Sequence, residues 1–162
     1  MTDDFTPPWD QETTLERARS QIRVRVDERA AIGGRPTLWL AGYDVTSTLA
    51  AIERLGADPV IGSEMALWRW PTTGLTRLSE LLRRRHGLLV FLEPTAGLGL
   101  RRAMQLPVRR FRRDVPAELR SAGFSVTTQV RLRHGLVGNY VRGEARHFEL
   151  SPPATGAELS SR

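Results

Sequence analysis

The stretch TLWLAGYDVT, residues 37–46, puts a glycine and an acid just past an apolar run and just before a helix-like segment. That is the layout of a nucleotide-binding strand–loop–helix, where backbone N–H groups and a helix N-terminus receive an anionic group. Loops of that kind use several glycines so that the backbone can come close to the ligand. Here Gly42 stands alone, Tyr43 is bulky, and Asp44 follows at once. Three readings are open: a working cradle, a cradle that has lost its glycines, and an ordinary strand-to-helix turn. Two further acids end apolar runs, Glu64 in DPVIGSE and Glu93 in LLVFLEP. In an open α/β sheet the carboxyl ends of the strands border the cleft, so Ser63, Glu64 and Glu93 are candidates for holding a ligand or moving a proton. The plainer reading of each acid is a strand end facing solvent. Trp68 and Trp70 flank Arg69 in ALWRWP. They either line that cleft or plug the sheet, and the plug is favoured because large aromatics dominate small cores.

A second cluster is basic. RRAMQLPVRRFRRD, residues 101–114, carries Arg101, Arg102, Arg109, Arg110, Arg112 and Arg113. Such a run is a candidate anion or partner patch. Only Phe111 interleaves as a stacking aromatic, which argues against nucleic acid. A solvated face with some arginines paired internally is the plainer reading. His86, His134 and His147 have no second ligand at helical or tight-turn spacing, so no metal site is expected. No Gly-x-Ser-x-Gly elbow is present, and AGLGLRR lacks the Lys-Ser/Thr of a phosphate loop. The chain has no cysteine, which excludes disulfides, thiolate metal ligands and thiol nucleophiles. All 24 basic residues are arginine, so lysine Schiff-base chemistry is excluded as well.

These residues need elements to position them. At 162 residues and 40% apolar composition the chain can build one domain with a real core. Leu15, Ala18, Ile22, Val26 and Ala30 mark one stripe of a helix over 13–31, with IRVRV readable as a short strand instead. TLWLAG, DPVIGS and LLVFLE read as strands, and 47–55 and 76–85 as helices between them. Gly87 is the expected cap of the second of these helices. Alternating strands and helices, with strands apolar on both faces, imply a mostly parallel sheet covered by helices. VPAELRSAG is a further short helix, and FSVTTQVRLR with VGNYVRGEARHFEL an antiparallel pair closing one edge. The expected organisation is an arm and amphipathic helix at 1–33, an α/β domain at 36–150 and a disordered tail at 151–162. No run is long and apolar enough to span a membrane, and the N-terminus is too acidic for a secretory signal. The cytoplasm is the expected compartment.

The order of these pieces resembles the class I S-adenosylmethionine-dependent methyltransferases, most closely the ubiquinone/menaquinone type, over residues 58–149. LTRLSELLRRRHGLLVFLEPTA is similar to that family's helix-then-strand ending in an acid. RRDVPAELRSAGFSV resembles the short helix and Ala-Gly-Phe entry to the next strand, and NYVRGEARHFE the last strand. The resemblance implies a shortened Rossmann-like sheet and S-adenosylmethionine as the cofactor such a site takes. It places Gly42, Asp44, Ser63 and Glu64 beside the cofactor and Glu93, Trp68 and Trp70 along the substrate cleft. The upstream half departs from the family. Only one strand–helix unit, 37–57, precedes the matching region, the glycine loop is reduced to Gly42, and the unit carrying the ribose acid is missing.

Two functions follow as expectations, with nucleic-acid binding through the 101–113 arginine run as a weaker third. One is a truncated or degenerate methyltransferase-like protein that serves as a non-catalytic binding or companion module. The other is a small active methyltransferase acting on a small apolar metabolite. The lost strands would leave β-strand 37–42 as an exposed edge, to be covered by helix 13–31, by a second copy of the chain, or by a partner protein.

Overall fold

Val60–Glu64 and Leu88–Pro94 are buried almost throughout, and they form the centre of the molecule as strands β2 and β3. The structure, a computed structural model, describes residues 15–40, 44–95, 113–134 and 138–147. In chain order its elements are helix α1 (Leu15–Ala31), strand β1 (Thr37–Leu40), helix α2 (Val45–Arg54), β2, a 3-10 turn (Leu67–Arg69), helix α3 (Thr72–Arg85), β3, helix α4 (Val115–Ser121), strand β4 (Ser125–His134) and strand β5 (Gly138–Arg146). The five strands make one sheet in the order β1-β2-β3-β5-β4.

β1, β2 and β3 pair in parallel, while β5 pairs antiparallel with both β3 and β4. Four strands therefore share one direction and β5 alone opposes them. This is the α/β sheet, mostly parallel with an antiparallel pair at one edge, that the sequence implied. The last strand is inserted between β3 and β4 rather than added outermost.

Each strand sends alternate residues to opposite faces. On one face Leu40, Ile61, Leu89, Phe91 and Val141 pack with α2, α3 and α4 around Trp70, Leu75 and Leu78. On the other, Val60, Leu88, Val90 and Leu92 meet the Ala18, Ile22 and Val26 stripe of α1. IRVRV is helical, because Ile22 and Val26 bury on the sheet while Val24 points outward at 56% exposure. Arg19 and Arg23 near the start of α1 reach Glu64 at the carboxyl end of β2. Arg25 and Arg29 reach Glu144, level with Val90 in mid-β3. The helix thus runs against β2 and covers a sheet face, not the outer edge of β1. Among the described residues that edge pairs with no strand.

α3 begins at Thr72, a full turn earlier than the sequence indicates, after Pro71 in extended conformation. Its C-terminal left-handed residue is His86 (φ 55°), not Gly87. Among the described residues no helix is long and apolar enough to cross a membrane.

Candidate site at the carboxyl edge of the sheet

β1, β2 and β3 deliver Asp44, Ser63, Glu64 and Glu93 to the same edge of the sheet, because the three strands are parallel and in register. Each of these side chains is already engaged.

Glu93 is fully buried. Its Oε1 accepts from Ser63 Oγ at 2.5 Å, Ala66 N at 3.1 Å and Leu67 N at 2.9 Å, and its Oε2 accepts from Trp68 N at 3.2 Å. A carboxylate receiving the first N–H groups of a 3-10 turn satisfies donors that the turn cannot satisfy itself. Burial pushes the Glu93 carboxyl up to about 7, and the four donors hold it back from going further. The acid thus anchors the link from β2 to α3. Neither of its oxygens is exposed.

Glu64 sits one residue further along β2, on the opposite face. It accepts from Arg23 Nη2 at 3.2 Å and forms an ion pair with Arg19, whose Nε lies 2.8 Å away without hydrogen-bond geometry. Asp44 is the N-cap of α2: Ser47 N donates to it at 3.1 Å and Ser47 Oγ at 2.6 Å. Those bonds, the hydroxyl first, hold its carboxyl below the usual range.

Trp70 is buried among Ala66, Leu67, Leu75 and the rest of the α3-side core, as a plug. Trp68 is half-buried, with the Arg69 guanidinium 5.0 Å from its ring centre. The indole N–H groups of both tryptophans are buried and find no acceptor among the described residues.

Arg113 does not join a surface patch. Its guanidinium donates to Glu118 at 2.7 and 2.5 Å, to Trp68 O at 2.7 Å, and to Trp70 O. A planar fork is suited to this set of acceptors and an ammonium is not. Arg113→Lys is therefore expected to cost about 1–3 kcal/mol, read as a fall in midpoint on urea unfolding; an unchanged midpoint would remove Arg113 from the scaffold. Gly42, Arg101, Arg102, Arg109, Arg110 and Arg112 lie outside the described residues.

Sequence reasoning missed two sets of contacts. Nothing local marks Arg19 and Arg23, and only the fold brings them to Glu64. Ser79 and His147 meet with Oγ and Nε2 2.6 Å apart. Serine beside histidine suggests a nucleophile, but Ser79 is 1% exposed and its Oγ donates to Ala122 O at 2.5 Å. The pair pins α3 to the ends of α4 and β5. Among the described residues no group of three or more His, Asp or Glu is gathered as for a metal ion.

S-adenosylmethionine carries a ribose, and its hydroxyls are held in Rossmann-like sites by an acid at a strand end. Here the acid best placed for that, Glu64, is neutralised by two arginines. Asp44 is committed to its own helix and Glu93 is enclosed. Each of these three acids already has a partner within the fold, and Gly42 of the loop between β1 and α2 lies outside the described residues.

No protein-family model and no curated protein matches the chain. Among solved structures it is similar to three SAM- or SAH-bound proteins. Magnesium protoporphyrin IX methyltransferase from Synechocystis PCC 6803 with bound SAH is 16% identical over 80% of this chain and 83% of that one, with a TM-score of 0.47. The 1,6-didemethyltoxoflavin-N1-methyltransferase of Burkholderia thailandensis, bound to its substrate and S-adenosylhomocysteine, is 15% identical over 90% and 86%, with a TM-score of 0.43. LepI with SAH and a substrate analogue is 9% identical over 82% of this chain and 41% of that one, with a TM-score of 0.47.

Proposed function

We propose that this chain is a degenerate methyltransferase-like scaffold acting as a non-catalytic binding or companion module. One observation carries the reading: Glu64, the acid at the carboxyl end of β2, is held by Arg19 and Arg23 of α1. A cofactor hydroxyl would have to displace two guanidiniums to reach it. The open edge of β1 supports the companion role. Val60 N donates to Pro36 O, so by strand alternation Leu38 and Leu40 face β2. The backbone groups of Thr37 and Trp39 then point outward, toward a strand from a second copy or from a partner protein.

Calorimetric titration with S-adenosylmethionine and S-adenosylhomocysteine, beside a light-scattering mass, tests both parts. The expected result is no saturable binding at millimolar ligand, and a mass above that of one chain once the partner or second copy is present. Saturable micromolar binding would overturn the proposal in favour of a small active methyltransferase. A chain that remains monomeric and captures no partner would overturn the companion role.

A further inference from the structure

On the α1 side of the sheet a cavity of about 250 Å³ lies between α1 and strands β3 and β5. Ile22 and Val90 give it apolar walls, while Gln21, Arg25, Arg142 and Glu144 bring polar groups into it. The charges around it do not balance. Glu144, 2% exposed, accepts from Arg29 at 3.1 and 2.9 Å and also from Arg25. These arginines hold its carboxyl below the usual range against the opposing effect of burial. Arg25 has a second acid in Glu28 at 3.3 Å. Arg142, from the same face of β5, donates to the neutral amide of Gln21 and has no carboxylate partner among the described residues. Among the described residues around this cavity, three guanidiniums (Arg25, Arg29, Arg142) meet two carboxylates (Glu28, Glu144), and Arg142 is the one without a carboxylate.

An arginine kept partly out of water without a counter-charge is costly, and partial burial lowers its proton affinity. A guanidinium fork beside an apolar wall is the arrangement that recognises a carboxylate attached to a compact hydrophobic group. We propose that this cavity binds a small organic carboxylate, with Arg142 as its charge partner and Ile22 and Val90 against its apolar body. The volume lies just below the usual range for small-molecule pockets, about 300–1,000 Å³, so the ligand is of single-ring or short-chain size. Its lining shares no residue with the acids of the carboxyl edge, although Arg142 is level with Leu92 and hence with Glu64 two strands away.

The test is an amide NMR titration of the full chain with benzoate, against benzamide as the neutral isostere, at fixed ionic strength. Benzoate is expected to shift resonances of Ile22, Val90 and Arg142 saturably, and to bind about tenfold or more tightly than benzamide. Arg142→Met keeps the length of the side chain and is expected to abolish the preference for benzoate, with Arg142→Lys intermediate. Equal binding of benzoate and benzamide overturns the proposal. So does no binding of either at millimolar concentration, or shifts that map elsewhere. Should Arg142→Met fail to fold, the wild-type comparison of the two ligands still decides.

Discussion

Replacing Glu93 with alanine is expected to cost the fold about 3–5 kcal/mol, since several buried donors lose their acceptor at about 1–3 kcal/mol each. Ser63 Oγ and the N–H groups of Ala66, Leu67 and Trp68 all lose their acceptor in a site water does not reach. That is a large share of a typical stability of about 5–15 kcal/mol. Urea unfolding reads it directly. A loss under about 1 kcal/mol would mean that the turn at 67–69 holds without the carboxylate.

The same residue ties stability to pH. Its carboxyl is raised from 4.5 to about 7 in the folded state. Between those values the folded chain holds a proton that the unfolded chain has released. Stability from this group is thus complete at low pH, falls as pH rises from about 4.5 to about 7, and is level above that. The slope is about 1.4 kcal/mol per pH unit, or roughly 3 kcal/mol across the window. Glu93→Gln cannot ionise, so it should lose that slope while paying a smaller fixed cost where its amide N–H₂ faces the Trp68 N–H. Identical pH profiles for the wild type and Glu93→Gln would refute the assignment. The point bears on function as well. An activity lost in a Glu93 variant would look like loss of a catalytic base, when the geometry says that the loop from β2 to α3 has come apart.

How much of this was legible in the sequence depends on how local each signal is. β2 and β3 were readable because a strand covered by helices on both sides is apolar at every position. α2 ended close to where its stripe ended. α3 hid its first turn behind Pro71 and Gly74, which look like a loop. In the fold Pro71 precedes the helix in extended conformation, and Gly74 lets it approach Val45, whose Cγ1 would lie 3.1 Å from an added Cβ. The site acids were placed correctly along the chain, at strand ends, but their partners were not foreseeable. Ser63 and Glu93 are 30 residues apart, Arg23 and Glu64 are 41, and Arg29 and Glu144 are 115. Pairings at such separations leave no period in the sequence. Nothing local marks the arginines of α1, although several of them are the counter-charges of the sheet.

Gly62→Ala is the other substitution with a large expected effect, and its sign runs against ordinary strand preference. In a strand interior alanine is normally favoured over glycine by about 0.5–1 kcal/mol. At this position the register sets Gly62 beside Trp39 of β1, and the indole lies across the glycine. An added Cβ would come within 2.5 Å of Trp39 Cε3 and 2.8 Å of Cδ2, atoms of a rigid ring rather than the tip of a flexible chain. The ring or the strand must move, at an expected cost of about 1–3 kcal/mol. Trp39→Leu in the same chain should recover most of that loss, so the double-mutant cycle should show coupling above about 0.5 kcal/mol. An additive cycle would mean that Trp39 does not rest on Gly62. The edge strand has only four residues and one neighbour. The stacked indole adds to the ladder and to Leu38 and Leu40 in holding the strand against β2, so Gly62→Ala should also displace the outward-facing backbone of Thr37 and Trp39. A partner that pairs with this edge should bind Gly62→Ala more weakly and the double variant nearly as well as wild type, whereas a partner that binds elsewhere on the molecule should not distinguish the three.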